Sequence, residues 1–123
     1  MDRGPAFVEH GAAYTKETAL SLLANADTSR FAQRPTSDAD ALRHTALTAL
    51  RRRAASGSAA ADLITRTFPQ AARGVPVYVE LGSYDGTPAT ILIEATGPEN
   101  GTLAMKRLWI IGEDGRVLLA ATR

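Results

Sequence analysis

The sequence predicts an α+β domain in which about three N-terminal helices pack on one face of a four-stranded antiparallel meander sheet, strand order 1-2-3-4. Three observations predict it. Apolar residues recur at helical spacing through the first half of the chain. Runs rich in β-branched and aromatic residues, separated by glycine-bearing turns, fill the second half. No tract between the halves is long enough to be a linker, so residues 1–123 form a single domain.

The first helix is read from "TKETALSLLANAD": Thr15 is its N-cap, Glu17 lies in the first turn, and Ala19, Leu22, Leu23 and Ala26 share a face. Phe7, Val8 and Ala12 continue that period backwards and Pro5 suits a first turn, so residues 1–14 either extend this helix or form a flexible segment. "DTSRFAQRPT" is aperiodic, with Phe31 its one large anchor to the core. In the second helix Ser37 is the N-cap, Asp38 and Asp40 sit at the positive end, and Leu42, Ala46, Ala49 and Leu50 share a face with Ala39. His44, Thr48, Arg51 and Arg52 point away from it. "SGS" at 56–58 ends that helix, and Ser58 caps a third, "AAADLITRTF", which buries Leu63, Ile64 and Phe68 and stops before Pro69.

Four strands follow: "VPVYVEL", "PATILIEA", "LAMKRLWIIG" and "RVLLAAT". Asp85-Gly86 and Asp114-Gly115 supply the positive-φ residues that tight hairpins need. Along the first strand Val77, Val79 and Leu81 alternate with Tyr78 and Glu80; along the second, Ala89, Ile91 and Ile93 alternate with Thr90, Leu92 and Glu94. The third and fourth strands are apolar on both faces. A sheet covered on one side should be polar on the other, yet here the second face would carry Leu92, Leu108, Ile110 and Leu118 among Tyr78, Glu80 and Lys106. Such a face calls for a cover: the N-terminal segment or a long helix, a second protein, or a curled sheet around a small pocket.

Composition sets limits. The chain has 123 residues, 45% hydrophobic and 22% charged, with net charge +1. That is enough chain for one core without staples. Absence of cysteine excludes disulfides, thiolate metal sites and cysteine nucleophiles. No apolar run reaches membrane-spanning length and the N-terminus lacks a signal-peptide core, which gives a cytoplasmic expectation.

Charge concentrates at residues 51–75, five arginines against one aspartate. Arg51, Arg52 and Arg53 are a candidate electrostatic contact, but cations are also favoured at a helix C-terminus, and Arg53 can lay its methylenes on the core. Too few cations and no interleaved aromatics argue against a nucleic-acid surface. His10 and His44 are the two histidines, 34 residues apart, without the spacing of a metal site; neither metal nor other cofactor is expected. Asp38 and Asp40 are explained by a helix start and Asp85 and Asp114 by turns. Glu80 and Glu94 lie within strands, where they form either an acid–base pair or cross-strand salt bridges.

Two functions fit. The first is a small non-enzymatic interaction or regulatory domain that uses Tyr78, Leu92, Leu108, Ile110 and Leu118 to form a homodimer or dock another protein. The second is a binding or catalytic domain with a pocket lined by Tyr78, Glu80, Glu94 and Trp109, open to a small-molecule ligand. No catalytic constellation is complete, which favours the first.

Overall fold

Two ten-residue strands, β3 (Val75–Tyr84) and β4 (Thr87–Thr96), form the centre of the sheet in a computed structural model that describes residues 6–8, 11–67 and 74–123. They are joined by a two-residue turn in which Asp85 and Gly86 take φ of 49° and 81°, the left-handed pair that matches strand twist. β5 (Met105–Gly112) and β6 (Val117–Thr122) follow antiparallel in sequence order, and Gly115 takes φ 85° in the turn between them. On the other side of β3 lie two short strands from the chain's beginning, β1 (Ala6–Val8) and β2 (Ala13–Tyr14), both parallel to it.

The helical elements are α1 (Lys16–Asn25), the single turn α2 (Ser29–Ala32), α3 (Ala39–Ala55) and α4 (Ala59–Thr67), with a 3₁₀ turn at Thr36–Asp38. Thr15 and Thr18 cap α1 reciprocally, each side chain accepting from the other's backbone N–H. The Ser58 hydroxyl accepts from the Ala61 N–H at the start of α4. Ser37 lies inside the 3₁₀ turn that leads into α3, and the cap position belongs to Asp38, whose side chain makes no capping bond.

The expected four-stranded meander with three helices on one face is therefore corrected to a six-stranded mixed sheet with about four helices. Leu50, Ala60, Ala61, Leu63 and Ile64 from α3 and α4 cluster with Val79, Leu92 and Ile111 on one face. Ala19 and Leu23 of α1, with Phe31, join Ile91, Ile93, Leu108 and Ile110 on the other. Lys106 of β5 fixes α1 there, its Nζ donating to the carbonyls of Ala24 and Ala26, 3.0 Å each, at the negative end of the helix. Both faces of the sheet are buried, which is why its middle strands are apolar on both sides. Each wholly buried Leu or Ile contributes about 1.5–3 kcal/mol relative to exposure, and the described residues supply at least eight.

The strand reading fails in two places: Leu92 opposes Trp109 and so does not share a face with Leu108 and Ile110, and β3 carries an extra residue. An irregularity between Pro76 and Tyr78 inserts Val77 as an extra residue, so Tyr78 pairs with Ile93 and Glu80 with Ile91. Directly opposed residues share a face. Tyr78 and Glu80 thus stand with Ile91, Ile93, Leu108 and Ile110, while Leu92, Glu94 and Trp109 occupy the opposite face. The expected helix extension through Phe7, Val8 and Ala12 is replaced by β1 and the approach to β2; Pro5, His10, Phe68 and Pro69 lie outside the described residues. Among the described residues no helix is long and apolar enough to cross a membrane.

Candidate functional site

Glu80 is the centre of a polar knot on the α1 face. Its exposure is 2%, and all its nearest partners donate to it. Oε1 accepts from the hydroxyls of Tyr14, at 2.9 Å, and of Tyr78; Oε2 accepts from the Ala12 N–H at 2.8 Å. Gly11 is required beside it, since a methyl group there would overlap the carboxylate. Burial, then the hydrogen bond and negative charge of Glu80, push the Tyr14 phenol up to about 12 and raise that of Tyr78 as well. Phenols held in this way stay neutral donors. The knot is chemically a fastening: it ties the strap of residues 11–14 to β3, beside the bonds from Gly11 N–H to Leu81 O and from Ser83 N–H to Ala12 O.

Glu94 lies on the other face, with no exposed surface. Its Oε1 accepts from Trp109 Nε1 at 2.8 Å and lies 3.5 Å from the Arg107 guanidinium, while Oε2 has no hydrogen-bond partner among the described residues. Burial raises its carboxyl above the ordinary range, against the opposing pull of Trp109, Arg107, Arg43 and the Gly74 backbone amide. Gly74 packs against that oxygen so closely that a methyl group would overlap it.

The four residues expected to line one pocket therefore form two separate pairs, Tyr78 with Glu80 and Trp109 with Glu94, on opposite faces of the sheet. They do not converge on a common space, and the acid–base pairing of Glu80 with Glu94 is excluded by the same register. The expected apolar interface changes too. Leu92, Leu108 and Ile110 are wholly buried beneath the chain's own helices, while Tyr78 and Leu118 are both half-buried, Tyr78 in the polar knot and Leu118 on an outer strand.

Arg51, Arg52 and Arg53 are exposed at the end of α3. Arg53 lies over the Phe7 ring, 4.5 Å to its centroid, and so helps hold β1 against the helix layer. His44 is exposed on α3. An open cleft of about 720 Å³ runs beside the start of α3, lined by Pro35, Thr36, Asp40, Arg43, Glu99 and Asn100 among others. Sequence reasoning missed it because its walls come from two segments 60 residues apart. Of its three charges among the described residues, two are paired with each other: Arg43 pairs with Asp40 at 2.9 Å and also donates to Gly74 O at 3.0 Å.

What remains open is the outer edge of β6. Lys106 and Arg123 exchange both backbone hydrogen bonds, at 2.8 and 2.7 Å. By antiparallel alternation Leu119 and Ala121 also bond inward to β5, leaving the N–H and C=O groups of Ala120 and Thr122 directed to the free edge. No described strand pairs there. From Val117 to Thr122 the strand carries neither proline nor charge, two of the usual guards of an edge, and a register irregularity near its start inserts Leu118 as an extra residue, so regular alternation runs from Leu119 onward. Val117 is 44% exposed, and Leu118, Leu119 and Ala121 are half-buried beside it. The signal in the sequence was "RVLLAAT" itself, read there as another double-sided strand. No protein-family model, curated protein or solved structure matches this chain.

Proposed function

We propose that this chain is a non-enzymatic protein-interaction domain that docks an extended segment by strand addition at the edge of β6. The observation that carries the reading is the unpaired, uncharged edge, where outward N–H and C=O groups of Ala120 and Thr122 follow exposed Val117 and half-buried Leu118. Strand addition draws affinity from main-chain bonds and selectivity from alternate side chains. Compared with the five residues expected from sequence, the surface contracts to Leu118 and its neighbours, because the chain's own helices cover Leu92, Leu108 and Ile110.

Ala120→Pro tests this directly. It removes an outward donor while the bonds of Leu119 and Ala121 to β5 remain. Fluorescently labelled six- to eight-residue extended apolar peptides, including residues 116–123 of this chain, are expected to bind the wild type in anisotropy titrations and to lose at least about tenfold in affinity for the proline variant. Equal binding to both proteins, or binding to neither, overturns the reading.

A further inference from the structure

The two ends of β6 carry opposite charge. At its beginning the β5–β6 turn presents Glu113 and Asp114, both exposed. Asp114 is drawn to Arg116 at 4.0 Å, and Glu113 has no ion-pair partner among the described residues, so this end is net acidic. The strand's other end is basic. Arg123 is exposed there and, among the described residues, is the free cation of this end; Arg107 reaches across from β5, its Nε donating to Thr122 Oγ1 at 3.2 Å, while its Nη1 lies 3.5 Å from the buried Glu94 carboxylate. Between these ends lie six uncharged residues.

An occupant of this edge must therefore offer an uncharged apolar strand with a basic group beside Glu113 and an acidic group beside Arg123. β6 itself offers that arrangement when turned about a two-fold axis. Antiparallel pairing sets the acidic turn of one copy near Arg123 and Arg107 of the other, twice over by symmetry, whereas parallel pairing would set like charges together. Resting on the reading of β6 as a docking edge, we infer that its partner is a second copy of this chain, joined antiparallel through β6 so that two sheets become one. Exposed Val117 and half-exposed Leu118 and Leu119 are then flanked by the partner's strand.

A charge-swap experiment on the whole chain tests the orientation as well as the partner. Glu113→Lys and Arg123→Glu alter exposed side chains only, and the Arg123 backbone bonds to Lys106 do not depend on its side chain. In native mass spectrometry and light scattering the wild type is expected to dimerise at micromolar concentration. Each variant alone, with like charges meeting at both ends, should dimerise about tenfold more weakly. Mixed together, the two should form a heterodimer about as stable as the wild-type dimer, because the side chain introduced by Glu113→Lys then faces the one introduced by Arg123→Glu at one end and the native pair is kept at the other. A wild type that stays monomeric while β6 still binds strand peptides overturns the second-copy partner and leaves the docking edge standing. A dimer abolished by Ala120→Pro but indifferent to the swaps overturns the antiparallel charge pairing. A dimer that survives Ala120→Pro overturns β6 as the dimer seam, and the strand-peptide titration then decides the docking edge.

Discussion

Glu80 and Glu94 stand on adjacent strands of one sheet, both nearly inaccessible to solvent, and the protein treats them in opposite ways. Glu80 receives three donors, two of them on the N-terminal strap, and so its charge is spent in holding distant parts of the chain together. Glu94 receives one good donor and one longer charge contact, with its second oxygen unpartnered among the described residues. Both carboxylates are buried, and the number of donors that reach each one separates them. One residue is a structural fastening, and the other is a cost the fold carries.

The comparison can be broken most sharply at Glu80. Glu80→Ala removes the common acceptor of Tyr14, Tyr78 and the Ala12 N–H, and should cost about 3 kcal/mol in urea unfolding. Hydrogen exchange at Gly11 and Ala12 should accelerate well beyond the change seen in the β4–β5 ladder. An unchanged midpoint would deprive the knot of its role.

At Glu94 the sign reverses. Its pKa is raised in the folded state, so the native chain binds the proton more tightly than the unfolded chain does. The benefit is present below the unfolded value near 4.5 and is lost as pH rises through the folded value. Glu94→Gln removes that loss. It should match the wild type near pH 4 and exceed it at pH 8. Equal urea midpoints at both pH values would show that Glu94 is fully compensated.

The smallest effect is expected from Tyr14→Phe, which deletes one of the three donors and should cost about 0.5–1 kcal/mol at neutral pH. The phenol's contribution is present below its unfolded value near 10 and fades as pH rises through about 12. The variant should therefore show a flatter alkaline limb in a stability–pH series, and an identical limb would place the raised phenol elsewhere.

Much of this could be anticipated where a residue acts locally. Thr15 and Ser58 cap helices, Asp85-Gly86 turns a hairpin, and Ala46, Leu50, Leu63 and Ile64 are buried on the faces that their spacing indicates. The failures are non-local. Three residues, Ala6–Val8, carry no period long enough to distinguish strand from helix, and their strand state depends on β3, about 70 residues away. Val77 is one inserted residue, yet it moved Tyr78 and Glu80 to the other face relative to Leu92 and Glu94. The double-sided apolar strands correctly demanded a second cover. That α1 supplies it rests on its docking by Lys106, a tertiary bond spanning 82 residues to Ala24.

The parallel strap also has a meaning in time. During synthesis Ala12 and Tyr14 leave the ribosome well before Glu80, the acceptor that fastens them, with 68 residues separating Ala12 from it. At about 5–20 residues per second, that interval is roughly 3–14 s. The helices can form as they emerge, but the chain's first strands have no edge to join until β3 arrives. The N-terminus is thus translated first and fastened late, and any delay within residues 15–79 prolongs the life of an unpaired strap.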